Sequence, residues 1–251
     1  MFKSKPPSCT TCKQLNCLIN KCCSPKWKSY LENNKLFIAY PPKKTVFLEG
    51  EIVSGVYFIH KGKTKVYNTG KKSKQNIIRL ADSGEMIGLR SFDEKQYSVS
   101  VATLEDSFLC YFEKQIFHKT LEDSPQFVQH LLEFYANKLS EIEMRHRNFS
   151  QWTNKEKIAA SLLILKSQFG VMSDNNEWLL DIALSRQEMA DFAGTGVEDL
   201  IRTLTFLQKE QIIKKSNQKI ILSNPDKLYK LLLENNYDNE IRSDVLDCLP
   251  N

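Results

Sequence analysis

The 251-residue sequence contains no apolar run near the roughly 20 residues that a membrane-spanning helix needs. Its first residues, MFKSKPPSCTTC, lack the apolar core of a secretory signal peptide. We therefore expect a cytoplasmic protein with no membrane partner, in a compartment that keeps thiols reduced.

Motifs typical of enzymes are also missing. The four histidines, His60, His118, His130 and His146, have no metal-ligand spacing, and there is no phosphate-binding loop or nucleophile motif. We therefore expect no enzymatic activity. The net charge of +5 suits a nucleic-acid partner but is too small to establish one.

Cysteines are concentrated in residues 1–24, a polar N-terminal segment without a periodic apolar pattern. We expect this segment to be loose unless something organises it. The spacing of Cys9, Cys12 and Cys17 brings three thiols together, and a tetrahedral metal or a cluster needs a fourth. Cys22 and Cys23 are neighbouring candidates for it, and Cys110 is a distant one.

Residues 25–122 form the next predicted domain. Between about Lys35 and Glu113, short β-branched or aromatic stretches alternate with glycine-containing turns. Short strands at regular spacing are typical of an all-β barrel or roll.

The apolar period changes at Pro125, within a segment of residues 123–150 that is predicted to form a long dimerisation helix. Apolar residues recur four and three apart along one side, and such a seam favours pairing with a second copy of the helix. We therefore predict a homodimer. The alternative is an amphipathic helix that packs on its own β-domain. The seam residues are Val128, Leu132, Tyr135, Leu139 and Ile142.

Residues 151–251 read as a helical domain with a wing. A helix is predicted over about 154–169, and Ser185 with Glu188 forms a capping box for a second helix that ends at Gly194. A third helix follows over Val197–Lys209, and then two apolar strand ends flank a polar turn. Two helices joined by a short glycine-containing turn indicate a helix-turn-helix, which occurs in DNA-binding domains and also as a plain packing unit.

Taken together, the β-roll, the seam helix and the winged helix-turn-helix resemble the Crp/Fnr family of bacterial transcription regulators. Glu49–Tyr67 looks like the family's second and third roll strands, and Gly84–Leu89 looks like the start of its effector cassette. The resemblance implies an α+β fold with an N-terminal cyclic-nucleotide-binding-like jelly roll, a long dimerisation helix and a C-terminal DNA-binding domain.

For the DNA-binding domain, the resemblance implies that Glu198 and Arg202 read base edges in double-stranded DNA with a palindromic operator. RNA polymerase is the implied protein partner. Ile201 replaces the serine that often lies between the two reading residues, and Gly196 replaces the usual capping Ser or Thr, so that Thr195 is the alternative cap. The predicted DNA-binding residues are Glu198, Asp199, Arg202, Lys214, Lys215 and Lys219.

The effector cassette argues against a cyclic nucleotide. Members that bind cyclic AMP hold its phosphate with an Arg-Ser pair, whose counterpart here is Tyr97-Ser98. Without a guanidinium, bidentate recognition of the phosphate is lost, although Arg90 is an alternative cation. The predicted cassette residues are Gly84, Glu85, Tyr97 and Ser98.

The Fnr branch of the family holds a [4Fe-4S] cluster on three N-terminal cysteines and a fourth in the roll, which implies Cys9, Cys12, Cys17 and Cys110 here. Four residues separate Cys12 from Cys17, whereas five separate the corresponding cysteines in the best-known pattern of this branch. Cys22 or Cys23 could therefore replace Cys17 as the third ligand. The implied function is oxygen or redox sensing coupled to DNA binding. The alternatives are zinc or thiol chemistry, a metal-free regulator that responds to a small molecule in the roll, and a thiol or iron-sulfur redox protein.

Overall fold

The structure is a computed structural model that describes residues 2–3, 7–71, 74–89, 95–216 and 219–233. Arg90, the wing-turn residues Asn217 and Gln218, and residues 234–251 lie outside the described residues. The chain divides into two compact units, residues 1–137 and residues 138–251. In the described part of the chain, no helix is both long and apolar enough to span a membrane.

The first unit begins with short elements that precede the roll. They are strand β1 (Phe2–Lys3) and helices α1 (Leu18–Cys22) and α2 (Pro25–Asn33). Nine further elements follow: β2 (Lys35–Tyr40), β3 (Thr45–Phe47), β4 (Gly55–Lys61), β5 (Thr64–Thr69), β6 (Gln75–Ala81), β7 (Met86–Ile87), β8 (Ser100–Thr103), β9 (Ser107–Glu113) and helix α3 (Lys114–Asp123).

The strands form two antiparallel sheets, with strand orders β1-β2-β9-β4-β7 and β3-β8-β5-β6. Side chains of a strand alternate between its two faces, and both faces of β4 and β9 are buried. Tyr57 and Ile59 of β4 point into the roll between the sheets, while Val56 and Phe58 point to a second core that is covered by helices. This alternation confirms the predicted roll and places Cys110 of β9 in the helix-covered core.

Helix α4 (Pro125–Gln151) follows the roll. Phe127 and Leu131 are buried in the helix-covered core, and the predicted seam residue Tyr135 packs partly against it. Three other seam residues face outward: Leu132, Leu139 and Ile142 are 66%, 57% and 41% exposed. The helix therefore uses one side to cover its own roll, as the alternative interpretation predicts, and leaves an apolar stripe uncovered on another.

The second unit contains α5 (Asn154–Phe169), β10 (Gly170–Met172), β11 (Trp178–Leu180), α6 (Arg186–Ala193), α7 (Val197–Lys209), β12 (Ile213–Ser216), β13 (Lys219–Leu222) and α8 (Pro225–Leu233). Its four strands form one antiparallel sheet with the order β10-β11-β13-β12. Helix α5 has the predicted bounds because Thr153 and Glu156 form a capping box at its start. Its buried residues occur on all sides, since α6, α7 and α8 all contact it.

The last turns of α4 contact α6 through Arg145. The guanidinium lies over the rings of Phe149 and Phe192, at 4.8 and 4.4 Å from their centroids, and donates a hydrogen bond to the Phe192 carbonyl oxygen. Burial lowers the pKa of Arg145 to about 10. A cation between two aromatic rings is a stabilising arrangement when it is shielded from solvent.

Candidate functional site

The helix-turn-helix is built by local signals at the ends of its two helices. Ser185 and Glu188 form the predicted capping box, with Glu188 Oε2 accepting from the Ser185 amide at 2.9 Å. Gly194 ends α6 in the left-handed conformation, with φ at 64°. The next helix, α7, has the predicted bounds.

The start of α7 differs from one sequence-based expectation. Gly196 is the N-cap and supplies no side-chain hydrogen bond. Thr195, the alternative cap, is instead buried, and its hydroxyl has no hydrogen-bond partner among the described residues. The prediction of a Thr195 cap is therefore wrong, because packing of its side chain turns the hydroxyl away from the free backbone amides of the helix.

Helix α7 presents two different faces. Leu200, Leu204 and Leu207 are buried, as predicted from their spacing. On the other face Arg202 is 79% exposed, and it pairs with Asp199 at 3.6 Å rather than with Glu198. Asp199 also accepts a hydrogen bond from the Asn154 side chain at 2.7 Å, which ties this carboxylate to the start of α5.

Exposed polar and apolar groups therefore lie side by side on the outer face of α7. Glu198 is exposed, and it forms no ion pair within the described part of the chain. Ile201, where the family often has serine, is 49% exposed. This face can approach a partner without any rearrangement of the core.

The wing is a hairpin in which β12 and β13 pair over Ile213–Ser216 and Lys219–Leu222. Two of its three predicted DNA-binding lysines form ion pairs. Lys214 lies 2.6 Å from Glu177, and Lys219 lies 2.5 Å from Asp181. Lys215 is exposed, so it is the wing lysine most accessible to a phosphate.

In the first unit, the four predicted ligand cysteines line a single pocket. Cys9, Cys12 and Cys17 reach it from the N-terminal segment and Cys110 reaches it from β9. The pocket is narrow and partly open to solvent. Cys22 and Cys23 are buried in the adjacent core and do not line it.

The N-terminal segment packs closely on the roll, whereas the sequence predicts that it needs an organising group. Cys9 is buried, and so are Ile19 and Cys22 of α1. Gly84, in the turn between β6 and β7, allows this approach: its φ is +91°, and a Cβ there would come within 2.7 Å of Asn16. Protein contacts therefore help to hold the segment against the roll.

Two side chains that the sequence did not single out also line the pocket. Lys35 Nζ lies 3.1 Å from Cys9 Sγ, and His60 Nδ1 lies 3.7 Å from Cys12 Sγ. Both come from strands distant from the cysteine segment in sequence, so no local pattern signals them. The only hint for Lys35 is its position two residues before the buried Phe37, on the same face of the strand.

Burial is the main influence on the pKa of two pocket thiols, Cys17 and Cys110. It raises the pKa of Cys17 to about 11 and the pKa of Cys110 to about 12. These thiols are therefore protonated at neutral pH, and binding of a metal must displace their protons.

The donor chemistry of the pocket limits the type of metal centre. Within the described ranges, no three His, Cys, Asp or Glu side chains are arranged to hold a single metal ion. A [4Fe-4S] cluster takes four cysteine thiolates, one on each iron, so its ligands lie farther apart than those of one ion. Four cysteines around one pocket are compatible with such a cluster.

The predicted effector cassette residues have structural partners. Glu85 accepts from the Asp82 amide at 2.8 Å and pairs with Arg79 at 3.4 Å, which closes its own turn. Tyr97 is buried inside the roll, where its ring stacks on Phe47 at 3.9 Å between centroids. Its hydroxyl donates to the Gly55 carbonyl oxygen at 2.8 Å.

Comparison with known proteins agrees with this two-part organisation. Residues 37–124 match the model of the cyclic nucleotide-binding domain, and residues 156–231 match that of the Crp-like helix-turn-helix domain. A chain with this roll and this helix-turn-helix is a transcription regulator.

Individual relatives are similar over most of the chain. The transcriptional activatory protein AadR of Rhodopseudomonas palustris is 26% identical over 70% of this chain and 72% of its own length. The transcriptional activator protein FnrL of Cereibacter sphaeroides is 23% identical over 80% and 81%. The structure of FixK2 from Bradyrhizobium japonicum superposes with a TM-score of 0.69 at 21% identity, covering 78% of this chain and 96% of that one. The chain belongs to the Crp/Fnr family of transcription regulators.

Proposed function

We propose that this Crp/Fnr regulator senses oxygen or redox state through a [4Fe-4S] cluster held by Cys9, Cys12, Cys17 and Cys110. The observation that carries the proposal is the single pocket that these four cysteines line. Only Cys110 is distant in sequence, and the alternation of β9 turns it toward the N-terminal segment. The similarity to the transcriptional activator protein FnrL supports a transcription regulator of the Fnr type.

When bound, the cluster would supply an oxygen-labile link between the N-terminal segment and β9. The effect of this link on the protein depends on the elements that it connects. Cys110 belongs to the same core as Phe127 and Leu131 of α4, so the segment, the roll and the helix share one packed interior. Loss of the link would alter the support of α4 and with it the availability of the exposed seam.

The exposed stripe of α4 would form the homodimer interface. Leu132, Leu139 and Ile142 are apolar side chains that a second copy of the helix can bury. A two-fold dimer presents two copies of α7, which is the arrangement that reads a palindromic operator.

Helix α7 would enter the major groove, with Glu198 and Arg202 reading base edges. Asp199 would act by positioning, because it holds Arg202 and is itself held by Asn154. Lys215, Lys214 and Lys219 of the wing would contact phosphate, the last two after exchanging their carboxylate partners for it. Contact with RNA polymerase remains a prediction from the family resemblance.

The test is anaerobic reconstitution of the chain with iron and sulfide, followed by metal analysis and visible spectroscopy before and after exposure to air. About four irons per chain and an absorbance that bleaches in air are expected. Cys110→Ser should abolish uptake, whereas the matched control Cys22→Ser, outside the pocket, should not. Zinc instead of iron, or no metal in the unsubstituted chain, would contradict the proposal.

The second candidate is a metal-free regulator that responds to a small molecule inside the roll. The match of residues 37–124 to the cyclic nucleotide-binding domain favours it. The packing of Tyr97 against Phe47 opposes a cyclic nucleotide, because aromatic rings fill this part of the roll interior. Calorimetric titration with cyclic AMP separates the two, and tight binding would favour the second candidate.

A further inference from the structure

Two side chains from different elements hold the backbone around Cys9. Glu32 of α2 accepts hydrogen bonds from the Ser8 hydroxyl and the Cys9 amide, both at 2.8 Å. Lys35 of β2 donates to the carbonyl oxygen of Pro7 and, at 3.1 Å, to the Cys9 sulfur. Cys9 therefore forms hydrogen bonds with an acidic side chain, Glu32, and with a basic one, Lys35.

Lys35 occupies a position that a lysine rarely takes. It is 7% exposed, and strand alternation puts it on the same buried face as Phe37, whereas Leu36 on the other face is 39% exposed. A lysine is seldom buried without a partner, because removing its charge from water is unfavourable. No carboxylate forms an ion pair with it within the described ranges, so its ammonium group faces a carbonyl oxygen and a thiol of the pocket.

A lysine ammonium group at this place would affect the potential of an iron-sulfur centre. Reduction adds negative charge to the centre, and a neighbouring cation stabilises the reduced form. Hydrogen bonds to the cysteine sulfurs act in the same direction, and both are known determinants of cluster potential.

We propose that Lys35 is a positioning and tuning residue of the cysteine pocket, which fixes Cys9 through Pro7 and sets the potential of a bound cluster by its charge. The tuning part rests on the proposed iron-sulfur function, whereas the positioning part does not. Glu32 shares the positioning role and has the opposite charge. The two residues therefore affect the backbone alike and the potential in opposite directions.

The first measurement uses the metal-free full chain. Hydrogen–deuterium exchange of the segment around Cys9 should be about tenfold faster in Lys35→Met, because a hydrogen bond to a charged group is lost. Glu32→Gln should also speed exchange, since it weakens the bond from the Cys9 amide. Lys21→Met removes an exposed lysine of α1 and is the matched control, for which exchange should be unchanged. Equal exchange in all four proteins would overturn the positioning role.

The second measurement is the midpoint potential of each reconstituted protein. Lys35→Met should lower it, Glu32→Gln should raise it, and Lys35→Arg should return it toward the original value because the charge is kept. Loss of iron uptake in Lys35→Met, with uptake retained in Lys21→Met, also supports positioning.

The outcomes separate the two proposals. Iron uptake with a potential unaffected by Lys35→Met, or shifts of equal sign in Lys35→Met and Glu32→Gln, would overturn tuning and leave the cluster proposal intact. Failure of the unsubstituted chain to bind iron would overturn the cluster and tuning together, and the exchange data would still decide whether Lys35 positions Cys9.

Discussion

Replacing Leu139 by glutamate is the sharpest test of the exposed stripe on α4. Leu139 is 57% exposed in the single chain, so the substitution removes little packing within the protomer. In a symmetric dimer the same residue occurs twice at the interface. Complete burial of a leucine contributes about 1.5–3 kcal/mol, and the exposed fraction in two copies therefore corresponds to about 2–3 kcal/mol.

A loss of about 2–3 kcal/mol weakens self-association by roughly 30- to 150-fold, before repulsion between the two glutamates is added. Sedimentation equilibrium over a range of concentrations measures this change, and the affinity for operator DNA should fall with it. Ile142→Glu should act in the same direction.

The matched control for this prediction is Asn137→Glu. Asn137 is an exposed residue on the opposite side of the helix, and the substitution introduces the same charge, with Glu133 and Glu141 four residues away where Leu139→Glu has Glu143. An association constant equal for Leu139→Glu and the unsubstituted chain, with helix content unchanged, would refute the placement of the stripe in a dimer interface.

Three further predictions concern DNA binding and the roll. Arg202→Ala should weaken binding to the specific operator by about 1–3 kcal/mol in an anisotropy titration and leave binding to unrelated DNA nearly unchanged; equal losses on both would contradict base reading. Glu177→Gln combined with Asp181→Asn should release two wing lysines, so that binding tightens and log K falls more steeply with log salt, by up to about two units of slope. An unchanged slope would mean that these lysines do not reach phosphate. Tyr97→Ala should lower the free energy of unfolding in urea by about 3–5 kcal/mol, as for other buried aromatic residues, and a loss below 1 kcal/mol would show that its packing in the roll is dispensable.

Elements defined by local signals could be predicted from the sequence with their bounds. The α6–α7 pair follows from a capping box, a left-handed glycine and a three-four repeat of leucines, all within 25 residues. Helix α5 is another case, since Gly170 marks its end. In these segments the free backbone groups of the helix ends find their partners nearby, so tertiary context changes little.

Short elements whose stability comes from packing could not be predicted. Helices α1, α2 and α3 and the β10–β11 hairpin have no long apolar period of their own. The start of α2 does carry a signal, Ser24 before Pro25, which suits a helix N-terminus. The burial of Trp27 and Leu31, four apart, becomes meaningful only with the sheet beneath them.

Some residues of the candidate sites could not be predicted either, because their contacts join distant parts of the sequence. The family resemblance pointed to four cysteines, and they line one pocket. It gave no indication of Glu32, Lys35 or His60, because such contacts join segments 23 to 48 residues apart. The pairing of Arg202 with Asp199 rather than Glu198 also depends on a distant residue, since Asn154 restrains the Asp199 carboxylate.

Arg145 fixes the last turns of α4 to helix α6. A planar cation that lies over two rings and is bonded to one carbonyl oxygen resists twisting about the helix axis, and its carbonyl partner is in the last turn of α6. If two copies of α4 pair as proposed, a rotation of the last turns of α4 would move helix α6 with it. In the proposed dimer, the direction of the last turns of α4 would therefore set the direction of α6.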